Sequence, residues 1–244
     1  MSTNRTSPVD PAWLASTDYI DADDPAVAGF AARATAGVAG VDGVDGEVAL
    51  AVALFHAVRD GIRYDPYGIS YEPDDFRAST IADAESNWCV PKSVLLVAAA
   101  RHLGIPARLG FADVRNHLTS AKLAQHMGTD LFAWHGYAEL LLPDPDPAAP
   151  SGMRRWFKLS SAFNIELCDR FGVRVLEFDG THDALMHPYD RSGNRHMEYV
   201  NHRGSFDDLP LERILADFAV LYGSAFDGTD SPTSAAVADD PDFL

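Results

Sequence analysis

The chain is short of positive charge. Its 244 residues carry 19 Lys and Arg against 36 Asp and Glu, a formal net charge of −17. Nucleic acid and anionic membrane are both held by a basic face, so neither is expected as a partner. Lysine is scarcest: Lys92, Lys122 and Lys158 are the whole set, and arginine carries the rest. The acidic excess reads as solvated surface rather than as a binding face. Cysteine is almost missing. Two of them, Cys89 and Cys168, cannot build a disulfide framework, and free thiols in a reducing cytoplasm are expected. No apolar run reaches the about 18 residues that would span a bilayer. Met1 to Asp10 is polar where a signal peptide would be apolar. There is no internal repeat and no calcium loop of the D-x-D-x-D-G kind. The expected location is cytoplasmic, and the sequence does not set an oligomeric state.

What is present suffices for one sizeable core: 47% of the residues are apolar and 23% charged. Residues 1–10 read as disordered, 11–224 as one domain, and 225–244, rich in Asp, Ser, Thr and Ala, as a flexible acidic tail. Asp24 and Pro25 form a cap and first-turn pair for a helix over 26–36. After a Gly/Asp/Val loop at 37–46, Leu50, Leu54, Ala57, Val58 and Ile62 mark one face of a helix over 47–62. Ile62 to Pro66 leaves it extended, and 67–85 is rich in loop residues. Pro91 and Gly104 bracket a helix that begins at Cys89, because proline suits a first turn and glycine a C-terminal stop. Alternation then predicts a strand over 107–114, a second follows over 131–142 and a third, hairpin-paired with it, over 155–160, with a short helix within 117–127 and a proline-rich loop from Pro143 to Gly152. A further strand is predicted over 174–178. The spacing around Cys168 is helical, which makes that cysteine core, and Leu211, Ile214, Leu215, Phe218 and Leu221 mark a last helix over 210–222. Helices first, then a helix feeding antiparallel strands, is an α+β pattern.

Cys89 carries the chemical interest. A thiol at a helix N-terminus meets free backbone N–H groups and the positive end of the helix dipole, which favour thiolate. A cysteine nucleophile also needs a base with an orienting partner. His135, on the second long strand, is the best candidate base.

Five pieces in order resemble the transglutaminase-like superfamily, a papain-related fold. They are Val58 to Asp65, with its I-x-Y step from helix to extended chain; Asn87-Trp88-Cys89-Val90-Pro91-Lys92-Ser93; Gly104-Ile105-Pro106-Ala107-Arg108; His135-Gly136-Tyr137-Ala138-Glu139, similar to H-x-W-x-E with Tyr for Trp; and Trp156 to Ser161. Together they cover about 50–164. The resemblance implies a nucleophile helix packed on an antiparallel sheet behind N-terminal helices, with a core over about 47–164. It implies Cys89 as nucleophile and His135 as base. The family usually places an Asp where this chain has Ser160. A hydroxyl can fix an imidazole tautomer but cannot stabilise an imidazolium by charge. Asn164 and Asp179 are alternative third members. Trp88, Asn87 and Tyr137 are expected at the oxyanion site or cleft.

The implied reaction is cysteine-dependent acyl transfer on an amide or peptide through a thioester. Hydrolysis is favoured, an amine acceptor is the alternative, and a binding module that has lost the chemistry is the competing class. No cofactor is expected. His182, His187, His196 and His202 crowd one segment with Asp183, Asp190 and Glu198, but at no familiar metal spacing; a wall of the cleft including Tyr189 and Tyr199 is expected there instead.

Overall fold

The computed structural model describes residues 5, 6, 8–38 and 43–223. The acidic tail expected from 225 lies outside them. The fold is α+β and is built around the Cys89 helix, α4 (Cys89–His102). Every residue from Cys89 to Arg101 is buried. A helix enclosed on all sides needs no polar stripe, and the run Val94 to Ala100 has none. On one side it meets α1 (Pro25–Ala34), α2 (Gly43–Gly61) and the single turn α3 (Ala78–Ile81). Asp24 caps α1 as expected, accepting from the Ala26 N–H at 2.8 Å. Helix α2 starts earlier than its apolar face suggests, at Gly43.

The other side of α4 lies on a five-stranded antiparallel sheet. Its order is β1 (Arg5–Thr6), β6 (Arg154–Leu159), β5 (Leu131–Pro143), β4 (Ala107–Asn116), β7 (Met197–Phe206). The first strand is a difference from expectation: part of the N-terminal stretch read as disordered pairs with β6, Arg5 opposite Arg155. Between α4 and β4 the chain stops and turns as its residues dictate. Gly104 is left-handed (φ 76°), its N–H donates to Arg101 O at 2.9 Å, and the Ile105 N–H reaches Ala100 O at 2.9 Å, a Schellman closure. Arg108 then pairs with Glu139 directly across β4 and β5 at 2.6 Å, and its guanidinium lies 4.0 Å over the Trp156 ring. A two-stranded parallel pair, β2 (Arg63–Tyr64) with β3 (Ser86–Asn87), sits at the N-terminal end of α4. Helices α5 (Ala121–Met127), α6 (Ile165–Arg170) and α7 (Leu211–Tyr222) complete the α-helices among the described residues. No helix among them is long and apolar enough to cross a membrane.

Two sheet expectations change. The predicted strand over 174–178 is an irregular strap. Its alternation does bury Leu176 and Phe178, the latter against Phe55 and Phe157, but the Leu176 carbonyl accepts from the Arg59 guanidinium instead of from a strand. The remaining edge strand is β7, ten residues with little alternation, whose side chains are mostly solvated.

Candidate active site

Cys89 opens α4, and Trp88 before it is extended (φ −98°, ψ −177°) without a side-chain cap. The first N–H groups of a helix lack intrahelical acceptors. Those of Cys89 and Val90, joined by the Gly136 N–H from β5, hydrogen-bond to the Cys89 sulfur and pull its pKa down. Burial is the larger effect and pushes the thiol up to about 11. Gly136 allows this approach: a Cβ there would stand 3.0 Å from Val90 Cα. Deeper in α4, Lys92 is fully buried and donates to Arg59 O at 3.0 Å and Ile62 O at 2.5 Å, where α2 ends. Burial pushes it down to about 7, with Asp60 opposing.

His135 lines the same cavity as Cys89. Its Nε2 lies 3.3 Å from Ser160 Oγ. Burial pushes the imidazole down to about 4, and among the described residues no carboxylate resists this. The pair therefore rests as thiol and neutral imidazole. Ser160 is held from behind, its N–H donating to Ala184 O at 2.8 Å. The Tyr199 ring of β7 meets His135 edge-on at 6.1 Å and stacks on His202.

The residue before His135 is the single described non-glycine with positive φ: Trp134, at 58°. A bulky residue enters that region only when its surroundings impose it. The register of β4 with β5 shifts between Ala112 and Val114, and the residue at the shift, Asp113, accepts the Trp134 N–H at 3.1 Å. Asp217 of α7 accepts the indole N–H at 2.8 Å. Arg203 of β7 ties both carboxylates together, donating to Asp113 and to Asp217 at 2.5 Å each, with its guanidinium 4.5 Å over the indole. Asn201 adds a third contact to Asp113 at 3.1 Å. Bulges re-aim side chains, and this one sets where β5 points His135.

Other expected site residues fall elsewhere. Asn164 accepts from the Tyr64 N–H at 3.1 Å and donates to Glu166 at 2.7 Å, so its amide is spent away from His135. Asp179 is exposed and bonded to Thr181. Trp88 lines the cavity, but its N–H donates to Asn87 Oδ1 at 3.0 Å. Asn87 faces a different cleft, beside Pro91 and Ser86. Tyr137 packs over Gly110, where any Cβ would collide with its ring, outside the cavity. Among the described residues no three His, Cys, Asp or Glu side chains could hold a metal ion together. The cavity itself is small, about 50 Å³, and its walls are mainly aromatic and apolar: Tyr64, Phe132, Phe163, Phe218 and Tyr222, with Met127 and Met197. Sequence reading missed most of these walls, because they come from five separate elements and loops, and a ring that lines a cleft has the same spacing as one that fills a core.

The family model described as "Transglutaminase-like superfamily" matches residues 33–159, more than half of the chain. The chain belongs to the transglutaminase-like superfamily. Within a transglutaminase-like domain, the match spans α2, the Cys89 helix, β4, β5 with His135, and β6, and it ends one residue before Ser160. Among solved structures, a candidate cysteine protease from Cytophaga hutchinsonii, a crystal structure at 1.9 Å, aligns with 13% identity and a TM-score of 0.41. The alignment covers 80% of this chain and 53% of that one, so the chain spans about half of that protein's length. At that distance the likeness says nothing about activity. No curated protein matches the chain. Membership of the transglutaminase-like superfamily supports cysteine-based catalysis in general.

Proposed function

We propose that this protein is a cysteine-dependent acyl-transfer enzyme that cleaves an amide or peptide bond through a thioester, with water as the acceptor. The observation that carries the reading is the shared cavity of Cys89 and His135, with the far nitrogen of the imidazole, Nε2, on Ser160. In this reading Nδ1 is the nitrogen that serves the thiol. In the neutral resting pair, Nδ1 takes the Cys89 proton as the sulfur attacks the substrate carbonyl. The carbon–sulfur bond forms, and the carbonyl π pair moves onto oxygen. The backbone N–H groups of Cys89, Val90 and Gly136, directed at the sulfur in the free enzyme, are the donors nearest the developing charge. His135 returns its proton to the leaving amine as the carbon–nitrogen bond breaks. A water, deprotonated by the same imidazole, then cleaves the thioester and restores the thiol. Ser160 orients His135 without a charge of its own, so the mechanism is general-base assisted and does not start from a thiolate–imidazolium pair.

A cavity of about 50 Å³ admits waters once the amine has left; this favours hydrolysis over transfer to a bulky amine acceptor. The test is a panel of short peptide amides, with and without an added primary amine, read by mass spectrometry. Expected are an acyl adduct on Cys89, free acid as product, and loss of both in Cys89→Ala. Acyl–amine product exceeding free acid would make the protein a transferase. No adduct with any amide, from folded protein, would favour a binding module, a reading that the neutral pair and the hydroxyl at Ser160 make specific.

A further inference from the structure

Lys92 is a fully buried charged group that the proposed reaction does not use. It stands one helical turn beyond Cys89, on the same side of α4. Its Nζ donates to the carbonyl of Arg59, in the last turn of α2, and to that of Ile62, just past the helix end. The last carbonyls of a helix lack intrahelical donors, and the negative end of its dipole favours a cation. From Ile62 the chain runs to Tyr64, a wall of the cavity, and β2 pairs there with β3, which leads into Trp88 and Cys89. Lys92 therefore fills the corner where cavity wall and nucleophile meet. A cap alone needs only donors, and a neutral amide supplies them. The ammonium brings a charge as well, and among the described residues no carboxylate is ion-paired with it. Asp60, whose charge it feels, is held by the Arg59 guanidinium at 2.7 Å and by the Ile165 N–H at 3.2 Å. An unpaired buried cation costs stability, and such groups gather at functional sites. The groups that face it electrostatically are Arg59 and Asp60 of α2, Cys89 of its own helix and Cys168 of α6. Of these, the Cys89 sulfur is the atom on which the reaction builds negative charge.

We infer that Lys92 is a positioning residue for the nucleophile: its buried ammonium, anchored on the end of α2, offsets the negative charge that grows on the Cys89 sulfur. The proposal rests on the acyl-transfer reading for Cys89 as nucleophile, but not for the acceptor. Lys92 forms no bond and gives up no proton in the step; the Cys89 proton goes to His135. The attraction between ammonium and thiolate acts through the protein interior, where it is screened less than in water. It favours the thiolate at Cys89 and the ammonium at Lys92. Burial pushes Lys92 down to about 7, with Asp60 opposing. The side chain is charged below that pH and neutral above it, so its help is complete at pH 6 and gone by pH 8.5. His135 is already neutral throughout this window.

The test is iodoacetamide labelling of Cys89 in the full chain between pH 6 and 8.5, in the wild type and in Lys92→Gln, which keeps a donor and removes the charge. At pH 6 the variant is expected to be labelled at least about fivefold more slowly than the wild type. At pH 8.5 the two rates converge. A purely structural lysine would leave the rates equal at pH 6, or slow the variant by the same factor at both pH values; either result overturns the proposal. The wild type supplies a second measurement if the variant fails to fold. Its labelling profile should break near pH 7, and a profile without a break between pH 6 and 8.5 overturns the proposal as well. If labelling behaves as expected while no amide is cleaved, the positioning role holds and the acyl-transfer reading fails. If amides are cleaved and Lys92→Gln turns them over at the wild-type rate at pH 6, the role fails and the reaction stands.

Discussion

Arg203→Met tests whether the clamp behind His135 sets the site. The substitution keeps the aliphatic stem and removes both 2.5 Å ion-pair contacts and the cation above the Trp134 indole. Breaking a buried pair from one side costs about 3–5 kcal/mol. The Asp113 side chain is only 9% exposed and should feel most of this, but it keeps the Trp134 N–H and Asn201 as donors. Asp217 is 42% exposed and loses little, since water screens it. A fall in unfolding free energy of about 3 kcal/mol follows. The functional effect should exceed the fall in stability. Trp134 holds a conformation that costs about 1–3 kcal/mol and persists only while its surroundings impose it. With the clamp opened, the backbone relaxes towards the extended region and turns His135 off the sulfur. In urea titrations and amide turnover, the variant is expected to lose at least tenfold in kcat, with KM little changed, under conditions where it is fully folded. Asp113→Asn combined with Arg203→Met should regain about 1–2 kcal/mol, because no unpaired buried charge remains and the Asn oxygen can still accept the Trp134 N–H. Wild-type kcat and pH profile in folded Arg203→Met would refute the argument.

Acid should unfold the protein from pH 6.5 downward. His135 and His196 stay neutral in the folded state until about pH 4, whereas the unfolded chain takes up these protons near 6.5. The unfolded state therefore binds more protons in this window, and stability is complete above it and lost as pH falls through it, by about 3 kcal/mol for each ring. Urea titrations from pH 7.5 to 4.5 should show the slope, and His196→Phe should remove close to half of it; an unchanged slope in that variant would contradict the assignment. Gly136→Ala forces a methyl to within 3.0 Å of Val90 Cα and should lift β5 off α4, costing about 1–3 kcal/mol and turnover together, while full activity would show that the close approach is dispensable. Ser160→Asp places a carboxylate beside His135 and should raise the imidazole pKa, increasing Cys89 alkylation at pH 6 at least tenfold. No gain from correctly folded protein would mean that charge at this position does not govern the pair.

The sequence is most legible where local rules and the fold agree. Pro91 and Gly104 bracket α4 as their backbone preferences require, and the largely apolar stretches 107–114 and 131–142 form strands buried on both faces of the sheet. Cys89 and His135 were readable as a pair from the order of their motifs, and they do share a cavity. Ser160 does reach His135, while Asn164 is drawn to the Tyr64 backbone and Asp179 to Thr181. Nothing local distinguishes these three, since only the packing decides which hydroxyl, amide or carboxylate arrives. Strand β7 was illegible for a different reason. It lies at the sheet edge with solvent over most side chains, so no alternation records it, yet it supplies Tyr199 and Arg203. The left-handed Trp134 is likewise the product of a network drawn from β4, β7 and α7, and its own sequence neighbours do not announce it.

Selective alkylation tests the central claim most directly. Both thiols are pushed up to about 11 by burial, but Cys89 opens on the cavity with His135 while Cys168 is 1% exposed in the core. With iodoacetamide at pH 8 and peptide mapping over time, the account predicts that Cys89 is labelled at least 100-fold faster than Cys168, and that His135→Ala removes most of that difference in protein that remains folded. Equal, slow labelling of the two cysteines, or a Cys89 rate indifferent to His135, would contradict it.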